Sequence, residues 1–305
     1  MTSEHKNEHL IKIVGENQHK KLIVIGGMHG NEKNGIDAIN HILPKIVKVF
    51  NKDKGSIYFL KGNIDALKQN ERFIDKDLNR LWKKEYIEAD KHKIADIKSL
   101  KNLHQIIEHD ICKGKYQDCY LLDLHTFSAQ SGIFCIPAGN PESISFARSF
   151  GVPFIEKLSE MLPGTALSYF GKKGMTAVVF EGGTHNTETA VKNLKAALWH
   201  TFAWLDMIDK NLDIVVKSRK ILRDISSLYP HHLELIYRHK LESYQHFKMK
   251  KGYYNFKPVK KSEILALQDK QEITSPAGGF MLMPLYQKKG SDGFFIVQEK
   301  NTNYQ

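Results

Sequence analysis

The sequence predicts an α/β fold, a sheet flanked by helices, followed by a smaller and mainly β C-terminal region. Three observations predict it. Short apolar runs alternate with helical stretches from Lys21 to about His200, and around Lys210 this texture gives way to short charged segments with turn signals. The 305 residues are 41% hydrophobic and 10% aromatic, enough for one large core or two domains.

In chain order, KLIVIGG (21–27) is a buried strand ending on glycines, and GIDAINHILPKIV (35–47) is the helix that follows. SIYFLKG (56–62), YLLDLHT (120–126), GIFCIPA (132–138) and TAVVFEGG (176–183) are further apolar strands bounded by turn residues. TETAVKNLKAALWHTFAWLDMI (187–208) closes the series as a long helix. Turn signals at KKGYYN, SPAGG and KKGSDGFF then mark the β-rich tail, which puts a domain boundary near Asn211, with domains 1–210 and 211–305.

Composition excludes several classes. No 18 apolar residues run together, and the N-terminal segment lacks the apolar core of a signal peptide, so a soluble, cytoplasmic protein without a membrane partner is expected. Cys112, Cys119 and Cys135 are odd in number and lack CxxC spacing, which predicts reduced thiols and a metal site, if any, built from other ligands. The net charge of +11 speaks to association rather than fold. In KMKKGYYNFKPVKK (248–261) lysines interleave with Tyr253, Tyr254 and Phe256, as a single-strand nucleic-acid binder would arrange phosphate and stacking contacts. A lysine-decorated hairpin is the plainer reading and the preferred one.

Chemistry concentrates at strand ends. In GGMHGNE, His29 and Glu32 lie beyond the end of the first strand, where open α/β sheets place ligands, and a spacing of three lets both face one point. Imidazole plus carboxylate suits zinc, whose catalytic sites take three protein ligands. His125, after another apolar run, is the candidate third, with Asp123 two residues earlier on the same strand face as its supporting group. A lone histidine among 15 is more often structural, so the combination carries the argument. The polar stretch NIDALKQNERFIDKDLNRLW (63–82) adds Arg72, Asp77, Asn79 and Arg80. Asn79 and Arg80 can clamp a carboxylate, since guanidinium offers a planar fork of donors, and Arg72 can face a carbonyl oxygen on which charge develops. Glu181, ending a further apolar run, can take a proton from attacking water and return it to a leaving amine.

These residues, in this order, resemble the succinylglutamate desuccinylase and aspartoacylase family, a branch of the zinc-carboxypeptidase superfamily. GGMHGNE resembles its metal motif, ERFIDKDLNR its arginine and Asn-Arg motif, LLDLHT its second metal histidine and FEGG the approach to its catalytic glutamate. The resemblance implies a zinc-carboxypeptidase-like mixed sheet and hydrolysis of a small N-acyl amino acid. It assigns one zinc to His29, Glu32 and His125, water activation to Glu181, carbonyl polarisation to Arg72 and the substrate α-carboxylate to Asn79 and Arg80. Tyr286, from the C-terminal domain, is the candidate tyrosine at the substrate, with Tyr244, Tyr253 and Tyr254 as rivals. Aspartoacylases are expected to carry a further arginine before the catalytic glutamate, whereas ALSYFGKKGMTAVVFE offers only Lys172 and Lys173, of which Lys173 is the candidate substrate contact. A carboxypeptidase acting on short peptides and a nucleic-acid-binding protein are the alternatives, and a homo-oligomer is allowed.

Overall fold

A computed structural model describes residues 8–15, 20–88, 94–242 and 246–300. The strands are β1 (Leu10–Val14), β2 (Lys21–Gly26), β3 (Ser56–Lys61), β4 (Cys119–Phe127), β5 (Phe134–Pro137), β6 (Phe154–Glu156), β7 (Thr176–Thr184) and β8 (His232–Lys240). The shorter β9 (Phe247–Met249), β10 (Pro258–Val259), β11 (Ile264–Gln268), β12 (Gln271–Thr274) and β13 (Gly279–Leu282) precede β14 (Asp292–Glu299). Eleven of them form one mixed sheet in the order β1-β3-β2-β4-β7-β5-β6-β8-β14-β13-β10. Its centre, β3-β2-β4-β7, is parallel.

The apolar runs are continuous because both faces of that centre are covered. Leu22 and Val24 of β2 pack into a core with Ile39, Ile42 and Ile46 of the helix Asn34–Val49 and Leu194, Leu198 and Phe202 of the helix Glu188–Trp204. Ile23 and Ile25 point the other way, into a second core with Leu100 and Leu103 of the helix Ala95–His104 and Phe170 of the helix Ala166–Lys172. A side chain period of two thus feeds two helical layers at once. The same alternation sends Leu121 of β4 and Ala177 and Val179 of β7 toward the second core. His125 and Glu181, in step with them, therefore emerge on that face at the ends of their strands.

The expected boundary near Asn211 falls just before the helix Asp213–Ser226, in a stretch whose sequence suggested short charged segments. Only Val215, Ser218, Leu222 and Ser226 of that helix are buried, so its apolar stripe is narrow and its charges dominate the sequence. Beyond it β8 pairs in parallel with β6, and β14, β13 and β10 continue the same sheet. β12, β11 and β9 form a separate three-stranded sheet over a third apolar cluster that includes Met249, Leu265, Met281 and Phe294.

The cysteine expectation needs correction. Cys112 and Cys119 are joined as a disulfide with Cα atoms 6.2 Å apart, and Cys135 alone is a buried free thiol. Lys113 and Gly114, both at positive φ, turn the chain back after Cys112 and bring the start of β4 alongside it. Among the described residues no helix is long and apolar enough to cross a membrane.

Candidate metal centre and active site

The turn after β2 is glycine-rich because two close approaches require it. Gly27 adopts φ +72°, and a Cβ on Gly30 would collide with the backbone of Ala66. The tight path delivers His29 and Glu32, both buried, in front of the C-terminal end of β4. His29 Nδ1 lies 2.8 Å from Glu32 Oε1, and His125 Nδ1, from β4, lies 3.1 Å from Glu32 Oε2. One ligand atom from each of the three falls within 4.8 Å of the others. Each imidazole also meets a carboxylate on its outer nitrogen: His29 Nε2 lies 3.0 Å from Asp77 Oδ1, and His125 Nε2 lies 2.9 Å from Asp123 Oδ2, the latter misaligned for a hydrogen bond. Thr126 N–H donates to Glu32 Oε2 at 3.0 Å.

The donor set fits a divalent cation. Two imidazole nitrogens and a carboxylate oxygen, all from buried residues and converging on one point, make up the three-ligand set that a catalytic zinc takes. Burial works to raise the Glu32 carboxyl, but His29 and His125 outweigh it and hold the acid well below the usual range. Asp77 is likewise held low against its burial, by His29 and then Arg72. Burial lowers His125, yet Asp123 and Glu32 prevail and raise it well above an ordinary histidine.

Glu181 is different. It is the register partner of His125 across the β4-β7 ladder, buried, with Oε2 lacking a partner. Burial, opposed by the charge of His125 and reinforced by Glu32, pushes its carboxyl up to about 8. A carboxyl poised near neutrality can both accept and return a proton.

The arginine-bearing loop is held from below by a residue that sequence reasoning passed over. Asp96 is fully buried and accepts from Asn63 Nδ2 at 2.6 Å and from the N–H groups of Ile74, Asp75 and Lys76 at 3.2, 2.8 and 2.9 Å. So anchored, the loop sends Arg72 to Glu32 Oε1 and Asp77 Oδ2, both at 3.3 Å. Asn79 Oδ1 accepts from Ala166 N–H at 3.0 Å, which fixes the amide and leaves its NH2 as the donating end. Arg80 Nη2 donates to Asp292 Oδ2 at 3.0 Å, and Asp292 Oδ1 takes Arg238 Nε at 2.6 Å. His29, Glu32, Arg72, Asn79, Arg80, His125 and Glu181 all line one cavity of about 880 Å³, counting its open mouth.

A sequence model of the succinylglutamate desuccinylase/aspartoacylase catalytic domain matches residues 18–172. The chain belongs to the succinylglutamate desuccinylase/aspartoacylase family. It is similar to a probable aspartoacylase of Acaryochloris marina, 33% identical over 129 residues that make up 39% of each chain. It is also similar to a succinylglutamate desuccinylase of Pseudomonas paraeruginosa, 30% identical over 105 residues, 34% of this chain and 30% of that one. The chain thus aligns with well under half the length of these relatives. Among solved structures, the succinylglutamate desuccinylase/aspartoacylase of Rhodobacter sphaeroides superposes with a TM-score of 0.68 at 14% identity, covering 96% of this chain and 88% of that one. Murine aminoacylase 3 superposes with a TM-score of 0.59 at 14% identity, covering 93% and 96%. At such identities the likeness is one of fold.

Two residues expected at the substrate in this family member lie outside the cavity lining. Lys173 is held by Glu108 Oε1 at 2.6 Å and Tyr116 Oη at 3.1 Å, because the helix Ala166–Lys172 ends facing the helical segment Gln105–Cys112 rather than the strand ends. The Tyr286 hydroxyl sits 2.8 Å from Lys250 O and 3.0 Å from Tyr253 O, turned into its own β region, while its neighbours Leu285 and Gln287 reach the cavity. Tyr253 and Tyr254 are not among the lining residues either, and Tyr244 lies outside the described residues. Burial weakens the nucleic-acid reading: of its three aromatics only Tyr254 is exposed, at 40%, while Tyr253 and Phe256 are 8% and 4% exposed and Phe256 packs against Phe134 and Tyr229.

Proposed function

We propose that this protein is a zinc-dependent amidohydrolase that cleaves a small N-acyl amino acid into a carboxylate and a free amino acid. The observation that carries the reading is the meeting of His29, Glu32 and His125 within ligand distance of one another, with Glu181 beside His125 in the same cavity. A zinc ion held by those three would supply Lewis-acid polarisation of the acyl carbonyl and acidify the attacking water.

The protein's own groups do the rest. Glu181 takes a proton from the water as its oxygen bonds to the acyl carbon, then returns that proton to the amine nitrogen as the C–N bond breaks. Arg72 donates to the carbonyl oxygen as negative charge develops on it. Arg80 and the Asn79 NH2 grip the α-carboxylate and set the distance from that anchor to Glu181. Asp77 and Asp123 orient the two imidazoles from behind. Met283, Leu285, Gln287 and Asp292, from the C-terminal region, wall the cavity, which favours a small substrate over a longer peptide.

Metal content and turnover of an acyl-amino-acid panel test the proposal together. The wild type should hold one equivalent of zinc and release free amino acid, and His125→Ala should lose both. Stoichiometric zinc and intact hydrolysis in His125→Ala would reject the site.

A further inference from the structure

The amidohydrolase reading leaves the rest of the substrate open, and the cavity wall speaks to it. The face that carries the chemistry continues as an apolar floor. Phe127 follows His125 by two residues on β4, and Val179 precedes Glu181 by two on β7, so both share the face of the reacting groups. Ile136 is the register partner of Val179 on β5. Leu162, Leu167 and Phe295 complete the surface, and all six are buried and line the cavity.

Charge is distributed very differently. Among the described residues the cationic arginine and lysine side chains lining the cavity are Arg72 and Arg80. Arg72 faces Glu32 and Asp77. Arg80 shares Asp292 with Arg238, which together leave charge for one substrate carboxylate and no more. Lys173 is tied to Glu108, and Lys289 to Glu71 at 2.9 Å. Among the described residues that line the cavity, Ser159 Oγ is a buried, neutral hydroxyl without a partner. It can meet a neutral polar atom, but it cannot balance an anion.

Resting on the N-acyl amino acid reading of the site, we infer that the cavity selects substrates with a single carboxylate and an apolar remainder, and disfavours dicarboxylic ones. A second carboxylate would leave water for a wall of Val179, Ile136, Leu162, Leu167 and Phe295, with no cation to receive it. An apolar side chain would gain by the same burial. Specificity comes from what the wall lacks as much as from what it offers.

The test compares N-acetyl-leucine and N-acetyl-phenylalanine with N-acetylaspartate and N-succinylglutamate on the zinc-loaded enzyme. The apolar pair should have kcat/KM higher by at least about 100-fold, the scale set by burying even an uncharged polar group without a partner. Parity, or the reverse order, would overturn the inference. A second arm titrates the same four compounds calorimetrically into Glu181→Gln, where turnover is not needed. If nothing in the panel is hydrolysed but the apolar pair still binds more tightly, the amidohydrolase reading fails and the apolar subsite stands. Equal affinities would remove the subsite. Leu162→Arg, at the least buried of the wall positions, should narrow the ratio at least tenfold in favour of the dicarboxylates. An unchanged ratio in that folded variant would count against the assignment.

Discussion

Two clusters of charge sit on the same side of the sheet, and only one of them has the makings of a site. Around Glu108, every strong group has a partner: Lys173 Nζ at 2.6 Å, His104 Nε2 at 2.7 Å, and the Tyr169 hydroxyl at 3.2 Å. Lys173 also stands 5.2 and 4.9 Å from the ring centres of Tyr116 and Tyr169. Burial opposes it, but hydrogen bonds from Lys173 and Tyr116 hold the Glu108 carboxyl down at about 2. At the strand ends, by contrast, Glu181 Oε2, Arg72 Nε and Arg80 Nε are buried without partners. Both clusters perturb protonation strongly, so perturbation alone does not separate them. The separating features are unspent donors and acceptors and a cavity for them to face.

If that distinction holds, removing a charge at the strand ends should change rate and binding. The largest effect belongs to Glu181→Gln, which removes the proton carrier while keeping its shape: kcat should fall by roughly 100- to 10,000-fold with zinc content unchanged. Single-turnover kinetics beside metal analysis check this, and a loss under tenfold would dissolve the contrast. Arg80→Ala should come next, raising KM for carboxylate substrates by about 1.5 to 3 kcal/mol at little cost in kcat. The result is readable because Asp292 keeps Arg238 at 2.6 Å and is not left as an unpaired buried charge. A smaller loss, roughly 10- to 100-fold in zinc affinity by chelator competition, is expected of Asp77→Asn, which weakens the hold on His29 Nε2 without emptying the site. Unaltered zinc affinity would reduce Asp77 to a cap of the turn Leu78–Arg80.

Placements set by position along a strand were legible in the sequence. His125 and Glu181 end apolar runs, where strands buried on both faces bring titratable groups out at the edge of the core. His29 and Glu32 were legible for the same reason, helped by glycines that a simple turn does not need. Roles set by distant contacts were not legible. Asp96 looks like an ordinary helix-start acid, and only the folded loop shows that it gathers three N–H groups from 74–76. Asp292 sits in a sequence that reads as a turn, yet it meets Arg80 across 212 positions. Lys173 was misplaced because nearness to Glu181 along the chain carries no information about which way the end of a short helix faces.

The smallest prediction returns to Lys173 and closes the contrast from the other side. Lys173→Met should leave kcat and KM within about twofold, since the side chain has no access to the cavity, and should cost on the order of 1 kcal/mol of stability in a partly buried network. The pH dependence gives the sharper reading. Because the folded Glu108 carboxyl titrates near 2 rather than its ordinary 4.5, its contribution is complete above about pH 4.5 and drains away as the pH falls toward 2. Wild type should therefore lose more Tm between pH 6 and pH 3 than Glu108→Gln, which has no such carboxyl to protonate. Parallel acid limbs would show that the cluster contributes nothing to stability, and a KM shift in Lys173→Met would bring that lysine back to the substrate and erase the line between the two clusters.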